Sequence, residues 1–118
     1  MDTTDYIKIA ESIADINFGS NNMAEVTIGD KTICIANINN ELKACAAKCP
    51  HASGIMANGF IDALGNIVCP LHRYKFSMLN GRNVSGEGYY LKTYQIVITE
   101  NGIFIKKEKS TSIFNLFK

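Results

Sequence analysis

The sequence predicts an all-β fold, an antiparallel sandwich or barrel. Three observations predict it. Short apolar stretches recur along the chain. Turn residues separate them at Gly29-Asp30, Asn39-Asn40 and Glu100-Asn101-Gly102. The helical periodicity, Ile13 and Ile16 within residues 10–16, supports only a turn or two of helix.

In order, residues 6–9 read as a short strand and residues 18–22 as a turn cluster. Residues 24–28 and 31–38 read as strands around Gly29-Asp30, and residues 41–47 as a third strand after Asn39-Asn40. Asparagine tolerates the positive φ that a two-residue hairpin turn demands. Residues 49–60 read as loop. Residues 61–68 read as a small hairpin turning at Gly65-Asn66, and residues 74–76 as a brief strand within a second long loop. Residues 91–99 and 103–107 form the last hairpin, leaving a polar, then amphipathic tail at 108–118. The expected organisation is one domain over residues 1–107.

Composition excludes several classes. The 118 residues are 47% hydrophobic and 19% charged, which suits a folded domain rather than a disordered chain. A net charge of +1 argues against a strongly basic nucleic-acid binder. No apolar run reaches the roughly 18 residues of a membrane helix. Residues 1–12 lack the layout of a secretory signal, so a cytoplasmic protein without a membrane span is expected.

The chemistry concentrates in two pieces, Cys49-Pro50-His51 and Cys69-Pro70-Leu71-His72. Both histidines of the chain lie in them. Each piece supplies one thiolate and one imidazole, and the proline after each cysteine stiffens the turn. Two Cys and two His satisfy a [2Fe-2S] cluster in which one iron takes both thiolates and the other both imidazoles. Zinc accepts the same four donors, but zinc fingers pair Cys with Cys and His with His in each half. Here each half is mixed. A zinc-stabilised interaction module therefore stays as an alternative.

These boxes resemble those of the Rieske-type ferredoxins, with C-x-H followed by C-x₂-H. The resemblance extends to Gly54, Gly59, Phe60, Phe76 and Gly81, and covers roughly residues 6–107. It implies an antiparallel β sandwich with a small cluster-binding subdomain, about residues 48–83, formed by two loops. It also implies one [2Fe-2S] cluster per chain, with Cys49 and Cys69 on the buried iron and His51 and His72 on the exposed one. The implied function is one-electron transfer from a flavin-containing NAD(P)H reductase to an oxygenase or another terminal acceptor. No substrate chemistry is expected from this chain alone: no histidine is left for a mononuclear iron site. The small subunit of a nitrite reductase, which shares the fold, is the other reading.

Departures from the family pattern refine this. Respiratory Rieske proteins carry an extra loop disulfide, absent here. They place a Ser and a Tyr two and four residues after the second His. This chain has Tyr74 and Phe76 there. Fewer hydroxyl donors to the cluster sulfurs predict a low potential, about −150 mV. Arg73 stands where glycine is usual after the second His, which puts the backbone at His72 in question.

Cys34 and Cys45 remain. With Asn39-Asn40 as the turn they face each other across two strands, and buried thiols are expected rather than a disulfide. Charge is uneven: residues 1–41 hold seven acids and two bases, residues 42–118 four acids and ten bases. Lys48, Arg73, Lys75 and Arg82 lie in or beside the two loops, and a basic ring steering an acidic partner is one reading of them.

Overall fold

The structure, a computed structural model, describes residues 6–50, 54–71, 73–86 and 90–106. Among the described residues ten strands follow in chain order: β1 (Tyr6–Ala10), β2 (Met23–Ile28), β3 (Lys31–Ile38), β4 (Glu41–Ala46), β5 (Phe60–Ile61), β6 (Asn66–Val68), β7 (Lys75–Ser77), β8 (Thr93–Tyr94), β9 (Ile96–Thr99) and β10 (Gly102–Lys106). They form three antiparallel sheets, ordered β1-β10-β9, β2-β3-β4-β8 and β5-β6-β7. The all-β antiparallel expectation holds. Among the described residues no helix is long and apolar enough to cross a membrane.

The turns explain the register. Asn39 and Asn40 adopt φ of 54° and 69°, so Ile38 pairs with Glu41 and Cys34 falls opposite Cys45. Three expectations need correction. The helix over 10–16 reduces to a 3-10 turn, Ile13–Asp15, because Ala10 still belongs to β1 and one short turn already brings Ile13 and Ile16 onto the core. The small hairpin turns through residues 62–65, and Asn66 opens β6. Asp62 organises that turn, its Oδ1 accepting the N–H groups of Leu64 (2.9 Å) and Asn66 (3.0 Å). Residues 91–99 are not one strand. Thr93-Tyr94 pairs with β4 and Ile96–Thr99 with β10, so the chain changes sheets at Gln95. No glycine, proline or turn pair stands between Tyr94 and Ile96, so the sequence pattern reads through the corner.

The four-stranded sheet is the middle layer. On β3, Ile33 and Ile35 face the three-stranded sheet β1-β10-β9, and Cys34 and Ala36 face the opposite way. All four are buried, which is why β3 reads as a continuous apolar run. The first face builds an aliphatic core from Ile16, Ala24, Ile33, Ile35, Leu42, Ala44, Ile103 and Ile105. The second meets the small sheet β5-β6-β7 across Met23, Cys34, Ala36, Cys45, Cys49, Met56, Ile67, Cys69, Phe76, Met78 and Leu91. Every cysteine of the chain lies in this second core.

Candidate metal centre

Two loops of equal length approach each other here. Lys48 bridges Ile55 in antiparallel fashion, and residues 49–54 close the loop beyond. Val68 pairs with Lys75, and residues 69–74 do the same. Each loop begins with a cysteine whose N–H donates to the carbonyl five residues on. Cys49 bonds Gly54 and Cys69 bonds Tyr74, both at 2.8 Å. The two Cys-Pro boxes are thus the same structural device used twice, each cysteine placed at the first position of a closed loop and each proline exposed beyond it.

The Cys49 and Cys69 side chains meet in the buried space between the loops, and neither forms a disulfide. Burial raises the Cys69 thiol pKa. The Leu71 N–H lowers it and the Cys49 thiol raises it again, with a net upward shift. Cys34 and Cys45 form the other facing pair, also free thiols. The Cys34 side chain, then burial, push the Cys45 thiol far up. Two buried thiols in contact repel once ionised, so a cation between Cys49 and Cys69 would stabilise their thiolate form and displace both protons. Among the described residues no three Cys, Asp, Glu or His side chains gather around one point, so the Cys34/Cys45 pair does not complete a four-thiolate site with Cys49 and Cys69.

Several residues hold the loops together. A Cβ on Gly54 would come within 3.0 Å of Cys69 Sγ and 3.1 Å of Leu71 Cγ, so glycine lets the first loop lie against the second. Asn21, in the turn before β2, donates from Nδ2 to the carbonyls of Ala57 (2.8 Å) and Gly59 (2.9 Å). This fastens the small sheet's entry to the middle sheet. Sequence reading missed Asn21, because an Asn-Asn pair in a turn cluster is already explained by the turn. Phe76 is fully buried in the second core, with Tyr74 packed against it. Arg73 is exposed with φ +57°. It therefore keeps the left-handed backbone expected of glycine, at a cost of about 1–2 kcal/mol for a residue with a Cβ.

Of the four expected ligands, the structure brings Cys49 and Cys69 together. His51 and His72 lie outside the described residues. The donor chemistry fits an iron-sulfur group: two free, buried, facing thiols, in loops that each carry a histidine two or three residues further on.

Comparison with known proteins agrees with this geometry. The chain is 25% identical over 100 residues to the ferredoxin component of the naphthalene 1,2-dioxygenase system of Pseudomonas putida, covering 84% of this chain and 95% of that protein. The fold matches the ferredoxin in a complex of reduced oxygenase and oxidized ferredoxin of carbazole 1,9a-dioxygenase, with a TM-score of 0.71 at 19% identity over 89% of this chain and 95% of the other. It also matches a Mycobacterium tuberculosis protein assigned as the small subunit of an NADH-dependent nitrite reductase, with a TM-score of 0.73 at 14% identity over 88% and 96%. Residues 8–95, about three quarters of the sequence, match the Rieske [2Fe-2S] domain, and the chain belongs to that family.

Proposed function

We propose that this protein is a one-electron carrier that passes electrons from a flavin-containing NAD(P)H reductase to an oxygenase or another terminal acceptor in the cytoplasm. The observation that carries the reading is the pair of matched loops, each opening on a buried cysteine. Its relatives named as dioxygenase ferredoxin components support the oxygenase as acceptor.

Cys49 and Cys69 as thiolates, with His51 and His72 as neutral imidazoles, would hold the [2Fe-2S] cluster. When bound, the [2Fe-2S] cluster supplies a reversible one-electron couple. The protein's part is to set that couple. Imidazole in place of thiolate lowers the negative charge at the site and raises the potential above that of a four-Cys cluster. Phe76, buried and without a hydroxyl, gives no hydrogen bond to the cluster sulfurs and holds the potential towards the low Rieske bound, about −150 mV. The buried residues around Cys49 and Cys69 keep water from the thiolate side.

The test is an iron and acid-labile sulfide count on anaerobically purified protein, with electron spin resonance after dithionite reduction. Two irons, two sulfides and a Rieske-type signal support the reading. One zinc and no sulfide overturns it. The nitrite reductase small-subunit reading shares the fold, and a chain without iron that co-purifies with a large catalytic subunit would favour it.

A further inference from the structure

We propose that the tip formed by the two loops docks onto a carboxylate-bearing face of a redox partner protein, with Arg73 as its main charged contact; this rests on the electron-carrier reading. The first observation is backbone conformation. Four described non-glycine residues have positive φ: Asn22, Asn39, Asn40 and Arg73. Asparagine tolerates this region, and arginine gains nothing from it locally. An exposed side chain kept where glycine would relax the backbone points to a role for that side chain.

The second observation is surface chemistry. Pro50, Ile55, Pro70 and Leu71 are exposed on the two loops, Ile55 at 41% and Leu71 at 46%. Lys48 and Arg73 flank them, both exposed and, among the described residues, without an ion-pair partner. An apolar centre with charged flanks is the layout of a specific protein contact.

The third is polarity of charge. Residues 47–86 contain four bases and one acid, while the rest of the chain contains eight bases and ten acids. The one acid, Asp62, lies 3.9 Å from Lys75 and offsets that lysine. Arg82 is exposed but follows β7, where it bridges Tyr90, so Lys48 and Arg73 are the remaining bases beside the two cysteine loops. A molecule with a net charge of only +1 would not steer a partner as a whole. A locally positive tip does, and it selects a surface on which carboxylates border an apolar patch.

Two small oxidants of opposite charge test this without knowledge of the partner. Reduced protein gives one electron to hexacyanoferrate(III), forming hexacyanoferrate(II), or to tris(phenanthroline)cobalt(III), forming the cobalt(II) complex. Rates are measured from about 0.01 M to about 0.3 M salt, where the screening length falls from about 30 Å to below 10 Å. The expected result is a several-fold slowing for the anionic oxidant and none for the cationic one. Arg73→Gly should remove much of the salt response, Arg73→Lys should restore it, and Lys8→Glu, a larger charge change on β1, should leave it in place. Independently of electron transfer, Arg73→Gly should weaken binding of a fluorescein-labelled decaglutamate peptide several-fold, and Lys8→Glu should not. Equal salt responses for the two oxidants, or equal effects of Arg73→Gly and Lys8→Glu, overturn the proposal. A protein without iron or sulfide defeats the carrier reading instead, and the peptide measurement still reports on the tip.

Discussion

The two cores of this small protein are built from different atoms. The core between the two larger sheets is aliphatic, with Ile33, Ile35, Leu42, Ile103 and Ile105 at its centre. The core between the middle sheet and the small sheet holds all four cysteines and Met23, Met56 and Met78. One strand serves both, since alternate residues of β3 face opposite ways. Branched aliphatic side chains have few rotamers and lock two sheets into one arrangement. Thioethers are flexible and polarisable, and thiols are small, so they fill irregular space beneath two converging loops. Rigidity and chemistry are thus assigned to different places: the first core fixes the platform, and the second surrounds the facing thiols of Cys49 and Cys69.

The largest effect should separate the two thiol pairs within the second core. Cys49→Ser or Cys69→Ser should abolish iron and sulfide incorporation. The double variant Cys34→Ala, Cys45→Ala should keep both at wild-type stoichiometry, with only a packing loss. Loss of iron in the second case would break the division between ligand and filler. The aliphatic core should respond differently again. Ile35→Ala should cost about 2–5 kcal/mol in a urea titration and leave the midpoint potential unmoved.

Asn21→Ala tests the fastening between the two regions. It leaves the carbonyls of Ala57 and Gly59 without their side-chain donor. A cost of about 1–3 kcal/mol is expected, with faster loss of iron under chelator challenge than Ile35→Ala shows at equal destabilisation. Arg73→Gly should raise stability by about 1 kcal/mol, by releasing the left-handed backbone strain.

The smallest effect concerns Asp62. Burial works against its charge, but the Asn66 and Leu64 donors and Lys75 together hold its pKa below the ordinary carboxylate value. A depressed folded-state pKa gives stability that is present above the unfolded value and lost as pH falls through the folded one. Asp62→Asn should therefore cost stability at neutral pH and show a shallower decline below about pH 4, read from denaturant midpoints across pH.

Much of this was legible in the sequence. The two Cys-Pro boxes pointed to the two thiols that the structure brings together, and Asn39-Asn40 set the β3–β4 register that places Cys34 opposite Cys45. Two kinds of feature were not legible. Gln95 marks a change of sheet, yet no glycine, proline or turn pair stands there, so no local signal separates the two strands. Asn21 acts through carbonyls about 36 residues away in the chain, and its residue type already suited a turn. Arg73 is an intermediate case. Its departure from glycine left the backbone in doubt, and the structure shows the glycine conformation retained with arginine in place.

One measurement tests the central claim that Cys49 and Cys69 serve as ligands while Cys34 and Cys45 serve as packing. It is the midpoint potential of the purified protein by redox titration. Ligation by two cysteines and two histidines predicts a value near the low Rieske bound, about −150 mV. A value near −400 mV, that of a four-Cys [2Fe-2S] ferredoxin, would place Cys34 and Cys45 on the cluster and contradict the account.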